Sequence, residues 1–217
     1  MPRYIAIVGG KHSGKTTLTQ QLIRILKTKG YKVATIKEMP NATTIDKPGI
    51  SHDTWKHSEA GADIVVAAPR NQTVLFINKK LCLNEITPYL VTMDFVILEG
   101  FHEAKVLPKI IVAKTAEEAG SFNDGLAIAI SGIITNSAQE IQRVKLLKIP
   151  IINNSTEIET LVDLIEKKSF SILPNLPDCA KCYLVGECGY VNCYEFAKAI
   201  VTDKTPHKCC PLDKMIN

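Results

Sequence analysis

The stretch "RYIAIVGGKHSGKTTLTQQLIRILKTKG", Arg3 to Gly30, limits the possible folds more than any other part of the chain. It opens with an apolar, β-branched run ending in glycine, the pattern of a buried strand. It closes with Leu18, Leu22, Ile25 and Leu26 at helical spacing, and Gly30 is the natural stop. Between the two, Gly9 to Thr16 matches the phosphate-loop pattern G-x4-G-K-[ST]. Gly9 and Gly14 allow the tight turns. The amides from Lys11 to Thr17 are expected to point into a nest at the positive end of the helix dipole. The expected nucleotide-binding residues are therefore Gly9, Gly10, Lys11, His12, Ser13, Gly14, Lys15, Thr16 and Thr17. Lys15 is placed on the β- and γ-phosphates and the Thr16 hydroxyl on Mg²⁺.

The rest of the chain repeats the alternation. "YKVATIK", "ADIVVAA", "QTVLFI", "DFVILEG", "PKIIVAK" and "GLAIAISGIIT" read as strands, and helices are expected near 81–91, 138–147 and 156–168. Strands alternating with helices predict an α/β fold of the P-loop NTPase type, a mostly parallel sheet with helices on both faces. "VAAPRNQTVLFI" reads instead as an antiparallel hairpin. Residues 38–59 are polar and broken by Pro and Gly, a long loop of the functional kind. Residues 171–178, "SILPNLPD", read as a linker. The expected domains are 1–170, which binds nucleotide, and 179–217, a small Cys-rich metal-binding tail.

A magnesium triphosphate needs carboxylates beside the loop. "DFVILEG" is an apolar strand bracketed by Asp94 and Glu99, and Glu99 lies at the carboxyl edge where ligands bind in open α/β sheets. Asp46, in the long polar loop, is the second candidate. Thr16, Asp46 and Glu99 form the expected magnesium set, and Lys15 and Glu99 the expected catalytic pair. The guanine-reading N/T-K-x-D signature is absent, since "NKKL" at 78–81 lacks its Asp. "ITNS" at 134–137 ends a late strand where Asn136 could read a base.

Composition narrows the function class. The net charge is +4, and residues 170–217 hold equal numbers of Lys and of Asp plus Glu, so the excess lies in the larger part. That suits a phosphate ligand and lacks the dense basic stripe of a nucleic-acid binder. No apolar run approaches the roughly 18 residues of a membrane span. The opening "MPRYIAIVGG" has no charged segment leading into a cleavable apolar one. A cytoplasmic protein with neither a membrane nor a nucleic acid as partner is expected.

Several ordered motifs then point to a family. "IAIVGGKHSGKTTL", "VATIKE", "IDKPGISHDTWKHSEAGADIVVAA" and "DFVILEGFHEAKVLPKIIVAK" resemble the MobB family, the B protein of molybdopterin-guanine dinucleotide biosynthesis. The resemblance spans roughly residues 1–168. It implies a GTP-binding protein, usually dimeric, with weak GTP hydrolysis. Such a protein assists the enzyme that attaches a nucleotide to molybdopterin, in molybdenum or tungsten cofactor maturation. Where family members often carry Lys-His-Asp and further histidines, this chain reads Lys37-Glu38-Met39-Pro40, so Glu38, His52 or His57 would have to replace them. Two other classes remain open: an ATP-dependent ligase or kinase of the dethiobiotin-synthetase type, and an iron–sulfur electron-transfer or metal-delivery module switched by nucleotide.

Six of the seven cysteines fall within residues 179–217. Cys179-x2-Cys182-x5-Cys188-x4-Cys193-x16-Cys210 has the density of a metal site. "CGYVNCYEFAKAI" resembles the four-cysteine iron–sulfur domain of corrinoid iron–sulfur proteins, spaced C-x2-C-x4-C-x16-C. Cys188, Cys193 and Cys210 fit its last three positions. The first falls on Val185, so Cys182 or Cys179 must substitute through a longer loop. A [4Fe–4S] cluster, a structural zinc ion and unligated or disulfide-bonded thiols all remain open readings. Cys82, between Leu81 and Leu83 in an expected helix, reads as a buried apolar residue.

Overall fold

The computed structural model describes residues 2–42, 52–102, 107–171 and 189–205. They form two compact units: one runs to Glu38 and resumes at Leu90, the other spans Met39–Tyr89. In chain order the elements begin with β1 (Arg3–Val8), α1 (Lys15–Thr28) and β2 (Val33–Lys37). The second unit contributes α2 (His52–Glu59), β3 (Ile64–Ala67), β4 (Val74–Ile77) and α3 (Leu83–Ile86). The first then resumes with β5 (Phe95–Glu99), β6 (Lys109–Val112), α4 (Ala116–Ser121), β7 (Ala127–Ser131), α5 (Ala138–Val144), α6 (Ile158–Lys168) and α7 (Cys193–Val201).

Five strands of the first unit form one parallel sheet in the order β2-β5-β1-β6-β7. Every residue of β5 and β6 is buried, as expected of strands covered on both faces. Ile5, Ile7, Ile97, Ile110 and Val112 meet Leu18, Leu22 and Leu26 of α1 and Leu161, Val162 and Ile165 of α6 in one core. The leucines of α1 recur every four residues, the single apolar stripe of a surface helix. Below β1 and β5, Tyr31 stands edge-on to Phe95 at 4.9 Å, and the Arg3 guanidinium lies 4.0 Å from the Phe95 ring centre.

The second unit holds the expected hairpin, β3 and β4 paired antiparallel with Ile64 opposite Ile77 and Val66 opposite Leu75. The polar stretch after β2 is partly helical, since α2 occupies its end. Cys82 is a correction. It is exposed and caps α3, its side chain accepting a backbone amide while Glu85 reaches back to the Cys82 amide. The helix starts after Cys82, so the thiol faces outward as a cap.

The expected linker lies, beyond Ser171, outside the described residues. The described part of the tail packs against the sheet domain. Phe196, Ala197, Ile200 and Val201 of α7 share the main core with Leu126, Ile128, Ile165 and Phe170. The Tyr194 hydroxyl donates to the Asp124 carbonyl at 2.7 Å, and Lys168 Nζ donates to the Val201 carbonyl at 2.6 Å. Asp124 in turn pairs with Lys109, which is almost wholly buried in β6. Asp124 precedes the start of β7, and Phe170 pairs with Tyr4 near the start of β1. Helix α7 therefore docks at the amino edge of the sheet.

Candidate nucleotide site and metal-binding tail

The carboxyl ends of β1, β2, β5, β6 and β7 lie at the opposite edge, and the phosphate loop rises from β1 among them. Its glycines are required by contact as well as by dihedral. Gly9 has φ of 151°, and a Cβ there would lie 2.0 Å from the Val112 carbonyl oxygen. Gly14 has φ of 103° and caps α1, with its carbonyl accepting from Leu18 N at 3.0 Å. Gly132, just after β7, allows the same close approach from the far side: a Cβ would lie 3.1 Å from the Ser13 carbonyl oxygen. Ser131, fully buried, donates to the Ile152 carbonyl, and Asn154 donates to Gln21 of α1, so the edge loops are tied to the loop's own helix.

Lys15 curls over the loop, and Nζ donates to the carbonyls of Gly9 at 2.8 Å and Gly10 at 2.6 Å. Burial pushes its ammonium below the ordinary lysine range, and the charges of Glu99 and Glu118 oppose that shift. Thr16 Oγ1 donates to Glu99 Oε1 at 2.7 Å, and Lys37 Nζ lies 3.0 Å from the same oxygen. Glu99 is 7% exposed. Burial pushes its pKa up, but hydrogen bonds from Thr16 and Lys37 outweigh burial and hold the carboxyl below its usual range. It is therefore ionised at neutral pH. A hydroxyl and a carboxylate in contact at the mouth of a phosphate loop form the hard-oxygen donor set that Mg²⁺ takes. Among the described residues Ser13 Oγ, inside the loop, is buried with no hydrogen-bond partner, as suits a site for a bound oxyanion.

The other candidates separate. Asp94 accepts from Lys32 N at 2.7 Å and so fastens a turn at the amino edge, away from the loop. Glu38 continues β2 beside Glu99, and its carboxylate accepts from Phe101 N at 2.7 Å. Asn136 is exposed in a 3₁₀ turn at the carboxyl edge. His57 lies in α2 of the second unit. Asp46, Cys179, Cys182, Cys188 and Cys210 lie outside the described residues.

Of the tail cysteines only Cys193 is described. It is half-buried in the first turn of α7, behind Asn192, whose side chain accepts from Glu195 N at 2.9 Å. A helix amino end favours a thiolate, and soft thiolates are what iron–sulfur clusters and zinc require. The described part of the tail meets the sheet domain through Asp124, Phe170 and the core residues beside them.

Residues missed in the sequence reading are Lys37, Gly132 and Glu118. Glu118 Oε1 accepts from Gly10 N at 3.0 Å. Lys37 and Glu118 come from distant parts of the chain, and no local pattern pairs them with the loop. Among the described residues no helix is long and apolar enough to cross a membrane.

Comparison with known proteins agrees with this arrangement. Residues 4–135 match the family model of molybdopterin guanine dinucleotide synthesis protein B, MobB. Residues 186–212 match a second family model, described as "Putative Fe-S cluster". The chain is 32% identical over 220 residues to a Methanocaldococcus jannaschii protein named "Putative molybdopterin-guanine dinucleotide biosynthesis adapter protein", covering 99% of this chain and 79% of that one. It is 30% identical over 112 residues to the Haemophilus influenzae adapter protein of the same pathway, covering 50% of this chain and 61% of that one. Among solved structures, Bacillus subtilis MobB superposes with a TM-score of 0.60 at 19% identity, over 76% of this chain and 96% of that one. A structure of molybdopterin-guanine biosynthesis protein B gives 0.55 at 26% identity, over 75% and 96%. A phosphate loop on a parallel sheet, matched in sequence over most of the sheet domain and in shape over three quarters of the chain, means that this chain belongs to the MobB family, with an Fe–S-type region at its carboxyl end.

Proposed function

We propose that the chain is a GTP-binding adapter of molybdopterin-guanine dinucleotide synthesis that acts in the cytoplasm as a homodimer. In this reading it assists the enzyme that joins the guanine nucleotide to molybdopterin. The observation that carries the reading is the Thr16–Glu99 contact beneath Lys15, a phosphate loop with its cation donors already adjacent. Lys15 would exchange its two carbonyl acceptors for phosphate oxygens, and Thr16 and Glu99 would hold Mg²⁺, which neutralises the phosphate charge. Of the described side chains that hydrogen-bond to the loop's own residues, none is a Gln or Arg placed to orient or stabilise an attacking water. Turnover by the protein alone is accordingly slow. In the tail, Cys188, Cys193 and Cys210, with Cys182 or Cys179, would bind a [4Fe–4S] cluster, which supplies a one-electron redox centre.

Titration of the full chain with GTP and ATP in the presence of Mg²⁺ tests this reading, followed by turnover with and without molybdopterin. GTP is expected to bind more tightly than ATP. A folded protein that binds neither would sink the proposal. Glu99→Gln keeps the Thr16 hydrogen bond but loses the charge, so it should reduce Mg²⁺-dependent hydrolysis more than nucleotide affinity. An equal loss of both would mean that Glu99 serves only the loop's structure. Protein purified without oxygen should show the broad visible absorption of thiolate-bound iron–sulfur, and Cys193→Ser should lose it. A colourless wild type that contains one zinc ion would assign the site to zinc instead.

A further inference from the structure

Gly10 is not required by the phosphate-loop pattern, in which its position is free. It has an ordinary negative φ, unlike Gly9 and Gly14. What a side chain there would meet lies across the sheet edge, the tip of Glu118. A Cβ at position 10 would stand 2.1 Å from Glu118 Oε1, which accepts the Gly10 amide at 3.0 Å. The other carboxylate oxygen accepts the Lys114 amide at 2.6 Å, and the Glu118 amide donates to the Thr115 side chain. Residue 10 is thereby held at both of its polar groups, its N–H by Glu118 and its C=O by Lys15. A neutral acceptor such as Gln could make the same bond to Gly10. The carboxylate adds a fixed negative charge, near enough to Lys15 to affect its ionisation, beside a site built for anions.

We propose that Glu118 is a positioning residue with two effects on the phosphate loop: it fixes the loop's shape through Gly10, and it weakens the grip on phosphate by like-charge repulsion. The protein thus trades affinity for release, which suits an adapter that must cycle its nucleotide. The inference rests on the nucleotide-binding reading above. It concerns how tightly the nucleotide is held, whereas that reading concerns whether it is held at all.

The test is equilibrium and stopped-flow binding of GTP and GDP to the full chain. Glu118→Gln keeps an acceptor for Gly10 and removes the charge. It should bind GTP about tenfold more tightly, mostly through slower release. The gain should shrink as salt is raised from low to high, because the repulsion is screened. Its thermal melt should match the parent, which a purely helix-capping role would not combine with tighter binding. Gly10→Ala should weaken binding by displacing Glu118. Adding Glu118→Ala to that variant should recover part of the loss, since the two residues occupy the same space. Unchanged or weaker GTP binding by a folded Glu118→Gln would overturn the charge role. Strict additivity of the two alanine substitutions would overturn the contact. A folded parent protein that binds no nucleotide would instead overturn both this inference and the reading beneath it.

Discussion

A chain cut after Phe170 is expected to lose the folded sheet domain. The cut removes α7, whose Phe196, Ala197, Ile200 and Val201 are buried in the same core as Leu161, Val162 and Ile165 of α6. The three larger side chains are each worth about 1.5–3 kcal/mol on burial, roughly 5–9 kcal/mol together. A domain of this size has a net stability of only about 5–15 kcal/mol. The cut also removes the Tyr194 donor to the Asp124 carbonyl and the Val201 acceptor of the half-buried Lys168. The shortened chain should therefore aggregate, or keep far-ultraviolet dichroism while losing its near-ultraviolet signal and cooperative melt. Phe196→Asp in the full chain should show the same defect from a single site, because it places a carboxylate where a ring is 2% exposed. A shortened protein that melts within a few degrees of the parent would show that α7 is dispensable to the core.

The sequence and the structure agree wherever a local pattern has a local cause. The run from Arg3 to Gly30 announces a strand, a loop and a helix because the periodicity changes within one stretch, and β1 and α1 lie there. The placement of Glu99 beside the loop was legible because an acid closes an otherwise apolar strand at the edge where the loop also lies, and Thr16 is found against it. The hairpin was legible from its turn residues. The partners of α7 were not. A nine-residue amphipathic helix shows which of its faces is apolar but not what that face covers, and the prolines before it read as a boundary. Cys82 misled because flanking leucines suggest burial, whereas the actual helix begins one residue later. The role of Glu118 was hidden by distance: it lies 108 residues from Gly10 in sequence. The Thr115-x-x-Glu118 spacing does signal a helix start, and Thr115 does cap α4, but a cap signal carries no information about a carboxylate shared with a loop elsewhere.

Lys15→Ala should abolish measurable GTP binding while leaving the fold intact. The ammonium makes two hydrogen bonds to loop carbonyls, and the side chain belongs to none of the core packing. Removing it takes one donor from each of the Gly9 and Gly10 carbonyls, a local loss outside the core, so the thermal melt should shift by only a few degrees. Binding is another matter. A charged donor contributes about 1.5–3 kcal/mol per hydrogen bond, and two bonds to a triphosphate correspond to a loss of about a hundredfold to ten-thousandfold in affinity. The loss should exceed any effect of Glu99→Gln, since Glu99 meets the phosphates only through the cation. Burial already lowers the Lys15 pKa, so its charge is lost at a lower pH than that of an ordinary surface lysine. Binding by the parent should accordingly weaken as pH rises toward the ordinary lysine range, and Lys15→Arg, which stays charged, should resist that decline even if its starting affinity is lower. A Lys15→Ala protein that binds GTP with parental affinity would mean that this loop is not where the phosphates sit.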